Sequence, residues 1–82
     1  MNEYIKKMFE IFHAKIPDRQ IIAMYKMGVD KVMVHATKDG QMSVEPNTYT
    51  VSLDGSVKLF SPIDNIQKYH RIHEPKNLLW RK

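Results

Sequence analysis

Apolar side chains recur at helical spacing near the start of the chain. The stripe consists of Ile5, Met8, Phe9 and Phe12, which one face of an α-helix would bring together. Asn2 can serve as the N-cap, and Pro17 disfavours helical backbone in the residue before it. The pattern therefore predicts an α-helix over residues 3–15.

Residues 18–27 fit two interpretations. In a helix, Ile21 and Met24 would share a face, and Gly28 would occupy the left-handed position that follows a helix end. In a strand, the neighbouring β-branched residues Ile21 and Ile22 would be favoured instead. We favour the helix, because most of the segment consists of good helix formers.

Between residues 29 and 60 the hydrophobic period changes to two, which is typical of β-strands. Two Asp-Gly pairs, at Asp39-Gly40 and Asp54-Gly55, mark turns. A loop of three residues at each site, 38–40 and 53–55, keeps the apolar side chains of successive strands on one face. A further turn at Pro46-Asn47 completes a meander of four strands, with outer strands at 29–37 and 56–60.

This register makes specific pairings. They are Val34 with Val44, Ala36 with Met42, Val44 with Tyr49, Met42 with Val51, Val51 with Val57, and Tyr49 with Leu59. All these apolar residues would point to the same side of the sheet, while the other side would carry hydroxyl groups, charges and a few larger side chains. An antiparallel sheet with helices on one face and solvent on the other shows this contrast.

The last helix has a clear start signal at Ser61, which can cap, followed by Pro62 at the first helical position. It should end near His73, ahead of Pro75. Its core-facing residues would be Ile63, Ile66 and either Tyr69 or His70. Residues 76–82 form a basic tail, and the sequence leaves open whether this tail is docked or free.

We therefore expect an α+β protein with two layers: a four-stranded antiparallel meander with two N-terminal helices and one C-terminal helix on one face. At 82 residues the chain is expected to form a single domain, 1–82. It contains no cysteine, so disulfides and thiolate metal sites are excluded, and a cytoplasmic location is favoured. No apolar run approaches the ~18 residues that a membrane span needs.

The net charge of +4 is concentrated at the C-terminal end. From Asn65 onward there are five basic residues against Glu74 alone, while the preceding residues are electrically balanced. Basic and aromatic side chains alternate there, which is typical of nucleic-acid binding. The candidate nucleic-acid-binding residues are Lys68, Arg71, Lys76, Trp80, Arg81 and Lys82.

No arrangement of residues predicts catalysis, a metal or a cofactor. His70 and His73 lie three apart beside Glu74, but zinc needs a third and usually a fourth ligand, and the order matches no zinc motif. Asp39 and Asp54 are explained by their turns. The expected class is a non-enzymatic protein without a cofactor.

Our leading hypothesis is a small adaptor or inhibitor that binds a protein partner through the open face of the sheet. Candidate contact residues on that face are Met33, His35, Thr48, Thr50 and Phe60. The alternative is nucleic-acid binding by the basic C-terminal segment. The outer strands also offer edges through which two copies of the chain could pair as a homodimer.

Overall fold

A computed structural model describes residues 2–38 and 47–82 of the chain. Its elements are α1 (Glu3–Lys15), β1 (Arg19–Lys26), β2 (Lys31–Lys38), β3 (Asn47–Ser52), β4 (Val57–Leu59), α2 (Ile66–Ile72), a 3-10 helix (Pro75–Asn77) and β5 (Leu78–Arg81). Within these residues the strands form one antiparallel sheet in the order β4-β3-β2-β1-β5. The predicted α+β class is confirmed, whereas the predicted number of strands and helices is wrong.

Helix α1 has the predicted bounds and the predicted cap. The Asn2 Oδ1 accepts a hydrogen bond of 2.8 Å from the backbone N–H of Ile5, one of the donors that a helix start leaves unpaired. Ile5, Met8 and Phe12 are buried against the sheet. The apolar stripe read from the sequence is therefore the face that packs.

The segment predicted as a second helix is strand β1. Ile22 forms a bulge in its pairing with β2, because one extra residue lies between two consecutive pairs. Those two pairs are Ile21 with Ala36 and Ala23 with His35. After the bulge, the alternation of side chains between the two faces of the sheet is shifted by one residue. Ile21 and Met24, three residues apart, therefore lie on the same face and belong to the same core. A spacing of three residues on one face is also what a helix gives, and this explains the wrong prediction.

Strand β2 has neighbours on both edges, which contradicts the predicted meander. Val34 is paired with Met24 of β1 on one side and with Tyr49 of β3 on the other. The predicted pairings of β2 with residues 41–45, Val34 with Val44 and Ala36 with Met42, are therefore wrong. So are the pairings of Tyr49 with Val44 and of Val51 with Met42, since the neighbours of β3 are β2 and β4. The strand and loop predicted for residues 39–46 lie outside the described residues.

The second predicted hairpin is confirmed. Tyr49 pairs with Leu59 and Val51 with Val57, around a loop in which Gly55 has a φ of +96°. The Asp54 carboxylate accepts hydrogen bonds from the backbone N–H (2.9 Å) and hydroxyl (2.8 Å) of Ser56, as a turn aspartate does. Leu59 nevertheless stays 74% exposed, so its predicted burial is wrong.

The two helices cover opposite faces of the sheet, so the prediction of helices on one face only is wrong. The core beneath α1 contains Ile5, Met8, Phe12, Ile21, Met24, Val32, Val34, Ala36, Tyr49 and Val51. The core on the other face contains Ala23, Tyr25, Met33 and Ile72, with Met27, Phe60, Tyr69 and Leu78 packed around it. The second face is apolar at its centre, and α2 and β5 supply part of its cover.

The last helix begins later than predicted. Ser61 Oγ accepts a bond of 3.3 Å from the backbone N–H of Asp64, but residues 62–65 form turns and regular helix starts at Ile66. Ile63 and Ile66, predicted to face the core, are 87% and 50% exposed. Tyr69 packs on the second core, as expected. The predicted end near His73 is confirmed, since its N–H closes the last turn onto the Tyr69 carbonyl at 2.8 Å.

The basic tail includes an edge strand of the sheet. β5 pairs with β1, placing Trp80 opposite Met24 and Arg81 opposite Ala23. The Trp80 ring meets Phe9 of α1 edge-on, with ring centroids 4.9 Å apart. Among the described elements, no helix is both long and apolar enough to cross a membrane.

Candidate functional site

The residues predicted for protein contact do not form an open surface. Met33 is fully buried, and His35 and Thr48 are buried as well, because α2 and its flanking segments cover this part of the sheet. Thr50 and Phe60 are half-buried. The expected exposure of the first three is therefore wrong. Their binding role stays a prediction, and only Thr50 and Phe60 remain accessible for it.

The residues predicted for nucleic-acid contact are mostly exposed. Lys68, Arg71, Lys76, Arg81 and Lys82 are all exposed on α2, the 3-10 helix and the end of β5. Trp80 stands apart from them, because it belongs to the core beneath α1 on the other face of the sheet. The structure thus leaves these five charged residues exposed, but it packs the Trp80 ring against the core beneath α1.

A basic cleft lies between the end of β1 and helix α2, with a volume of about 460 Å³. Its lining residues are Lys26, Met27, Gly28, Lys68, Arg71, Ile72 and Asn77. Lys26 was not predicted as a site residue, because its segment was interpreted as a helix. Once that segment is a strand, its last residue lies beside Lys68 and Arg71 and adds a third positive charge to the cleft.

The charges around this cleft are not paired internally. Within residues 2–38 and 47–82 the structure contains one ion pair, in which the Lys76 Nζ lies 3.4 Å from the Glu74 Oε2 on exposed side chains. A second groove of about 370 Å³ shares Lys68 and Arg71 with the cleft, and Asp64 is the acidic residue in its lining. The described lining of the cleft itself contains three cations and no acidic residue, which makes it attractive to an anion.

Asn77 ties the end of α2 to the strand that follows. Its amide nitrogen donates to the carbonyl oxygens of Arg71 (3.0 Å) and Ile72 (3.1 Å), two of the acceptors that a helix end leaves unpaired. The side chain therefore fixes the basic helix relative to β5. The cleft is bordered by elements whose relative position is held by hydrogen bonds.

An aromatic cavity of about 590 Å³ lies next to the cleft, between α2 and strands β1, β2 and β5. Its lining residues are Ile22, Ala23, Tyr25, His35, Tyr69, His73, Arg81 and Lys82. Ala23 lies on its wall and is the smallest of these side chains, with Arg81 opposite it on the neighbouring strand. The small side chain is one reason that space remains here.

Four rings form one wall of the aromatic cavity. Tyr69 and His73 are stacked, with centroids 5.1 Å apart and planes 15° apart, as residues four apart on a helix can be. His73 also contacts Tyr25 at 4.6 Å and the ring of His35 at 5.3 Å. The result is a compact aromatic cluster joining α2 to the sheet.

His35 is the most perturbed titratable group of the cavity. Burial, and secondarily the nearby charge of His73, lower the pKa of its imidazole to about 4, so it is neutral at pH 7. Its Nδ1 lies 3.3 Å from the Thr48 hydroxyl, while its Nε2 is buried without a hydrogen-bond partner among the described residues. Burial also raises the pKa of Tyr69, with a smaller contribution from Tyr25, so its hydroxyl remains protonated.

The two histidines considered as metal ligands do not converge. Both are exposed, but His73 lines the aromatic cavity and His70 does not. In the part of the chain that the structure describes, no group of three or more histidine, aspartate or glutamate residues is placed to hold a metal ion. The arrangement can attract anions and can accommodate a flat, partly apolar ligand.

Sequence reasoning missed Ala23, Tyr25 and Lys26 as site residues. The strand interpretation of residues 18–27 could have identified them, because it would have placed Tyr25 and His35 on neighbouring strands. No protein-family model, curated protein or solved structure matches this chain.

Proposed function

We propose that this protein is a non-enzymatic binding protein whose ligand is nucleic acid. The observation that carries the proposal is the basic cleft, where Lys26 from the sheet stands beside Lys68 and Arg71 from α2. Arg81 and Lys82 add two exposed positive charges at the aromatic cavity. Phosphate groups are the natural partners of such a surface.

Electrostatics supports this choice over a generic contact surface. Each phosphate neutralised by lysine or arginine releases condensed counterions, so exposed cations on one face contribute affinity without a deep pocket. The cations here are exposed, and their side chains are available to a ligand. A cytoplasmic location is part of the same proposal, because a chain without cysteines requires no oxidising compartment.

The test measures binding of labelled single- and double-stranded oligonucleotides by fluorescence anisotropy over a salt series. The double variant Lys68→Gln/Arg71→Gln should weaken binding at low salt and reduce the slope of log K against log salt by roughly 0.7–0.9 per lost contact. Lys6→Gln/Lys7→Gln removes the same charge from exposed positions on α1, on the opposite face, and should have a smaller effect.

Equal losses in the two double variants would show that net charge alone, and no defined face, attracts the ligand. Absence of salt-dependent binding in the wild-type protein would rule out the proposed function. Circular dichroism of each variant confirms that the substitutions leave the fold intact.

Protein binding remains the second candidate, and exposed apolar side chains near β4 favour it. Leu59 is exposed on this edge strand, and Ile63 and Ile66 are exposed a few residues further along the chain. Among the described residues the outer edge of β4 has no partner strand, and an edge with apolar neighbours is suited to pairing with another strand, including that of a second copy. A dimer in solution that Leu59→Lys converts to monomer would support this candidate, and a monomeric wild-type protein would exclude the homodimer.

A further inference from the structure

We infer that the aromatic cavity holds a single nucleotide, with its base inside and its phosphate at Arg81 and Lys82. This inference rests on the proposed function and makes it more specific: the protein would prefer strands whose bases are unpaired. The ligand chemistry is a flat aromatic ring that carries an anionic group. A base in a strand and a free mononucleotide share that chemistry.

The size and lining of the cavity match such a ligand. Its volume of about 590 Å³ lies within the about 300–1,000 Å³ usual for small-molecule sites. Ile22 and Ala23 provide apolar surface, and Tyr25, Tyr69 and His73 provide aromatic surface. Bases are bound by aromatic contacts of this kind with little dependence on sequence.

The polar groups are arranged at two distinct positions. The buried Nε2 of His35 lacks a partner among the described residues, and a neutral imidazole leaves this nitrogen either a donor or an acceptor. Because this nitrogen is buried, a bound base reaches it only if the rings that cover it move. Arg81 and Lys82 are exposed at the chain end and line the same cavity.

The basic cleft and this cavity share no lining residue, but α2 and its C-cap contribute to both: Lys68, Arg71 and Ile72 line the cleft, and Tyr69 and His73 line the cavity. A nucleic-acid strand whose phosphate backbone lies along the cleft could place one of its bases in the cavity. A duplex holds its bases in the stack, and moving one out has an energetic cost. The cavity therefore selects unpaired strands, while the cleft alone would bind either form.

The experiment uses three probes with the full-length protein: a short poly-thymidine strand, the same strand in a duplex, and thymidine monophosphate. Ala23→Leu fills the cavity without changing any charge, and Ala14→Leu makes the same change at an exposed position of α1. We expect the wild type to favour the single strand over the duplex by about tenfold, the order of magnitude of one stacked base. Ala23→Leu should lose this preference, and Ala14→Leu should keep it.

The outcomes of this experiment distinguish failure of the inference about the cavity from failure of the proposed function. Duplex binding as tight as single-strand binding, or a folded Ala23→Leu variant with unchanged preference, would overturn the inference even if the basic cleft binds nucleic acid. Monophosphate binding without strand binding would support the cavity as a nucleotide site and reject the proposed function. If Ala23→Leu does not fold, NMR of the wild type decides: monophosphate should shift the ring protons of His35 and Tyr69, and unshifted rings would overturn the inference.

Discussion

Burial of His35 beneath α2 has a measurable consequence for stability. Its pKa is about 4 in the folded protein against about 6.5 in an unfolded chain, so the unfolded state binds more protons between these values. The free energy of unfolding should therefore fall as the pH is lowered from about 6.5 to 4, and the contribution of His35 is on the order of 3 kcal/mol. Above pH 6.5 this contribution is fully present.

Urea unfolding at pH 7, 5.5 and 4.5 tests this expectation against His35→Gln, which cannot titrate. Carboxylates with lowered pKa values, such as Asp54, contribute to acid sensitivity in both proteins, so the difference between the two slopes isolates His35. Parallel slopes would show that the imidazole is already solvated in the folded state.

Position 55 requires glycine because of its backbone conformation, and not because a larger side chain would lack space. Its φ is +96°, yet a Cβ added there would have no atom within 4 Å. Gly55→Ala should therefore cost about 1–2 kcal/mol through backbone strain alone. Gly28 has equally open surroundings and no positive φ, so Gly28→Ala should be neutral or slightly stabilising.

Thermal unfolding of the two alanine variants makes the comparison directly. A lower melting temperature for Gly55→Ala alone would support the loop geometry that the Asp-Gly pair predicts. Similar losses at both positions would contradict it.

At the scale of the elements, β5 contributes to both faces of the molecule. Leu78 packs on the core beneath α2, while Leu79 and Trp80 pack on the core beneath α1. Deleting residues 78–82 removes these three half-buried side chains and exposes the edge of β1, and should lower the free energy of unfolding by roughly 3 kcal/mol. Arg81→Gln/Lys82→Gln, which keeps the strand, should change it little.

Urea unfolding followed by circular dichroism measures both effects. Equal stability of the truncated and full-length proteins would show that the tail does not complete the sheet. Because truncation is expected to damage the fold, loss of ligand binding on truncation would not identify the basic residues as the binding site. Charge-neutralising substitutions avoid this ambiguity.

The elements that the sequence predicted correctly are those whose signals are local. Helix α1 was predicted from its N-cap residue and its apolar face. The β3–β4 hairpin was predicted from the Asp54-Gly55 turn and from the alternation of apolar residues, which places them on the same face in both strands. Strand β1 was missed because the bulge at Ile22 imitates helical spacing on the face it buries. A bulge depends on the partner strand, which no local pattern contains.

At the scale of the whole molecule, one wrong element changed the interpretation of the surface. With β1 in the sheet, both edges of β2 are paired, and the sheet's second face is apolar at Tyr25 and Met33 as well as at Ala23. The tail and α2 then cover that face, which buries Met33, His35 and Thr48, three of the five residues expected to contact a protein. The basic residues predicted to bind nucleic acid remain exposed, because solvation keeps charged groups at the surface.

The most direct test of the account is chemical-shift mapping of the isotope-labelled protein with a short single-stranded oligonucleotide at low salt. The predicted result is a set of shifted amides in α2, in β5 and around Lys26, with α1 unaffected on the opposite face. Shifts concentrated in α1, or no shifts at saturating oligonucleotide, would contradict the assignment of the nucleic-acid surface.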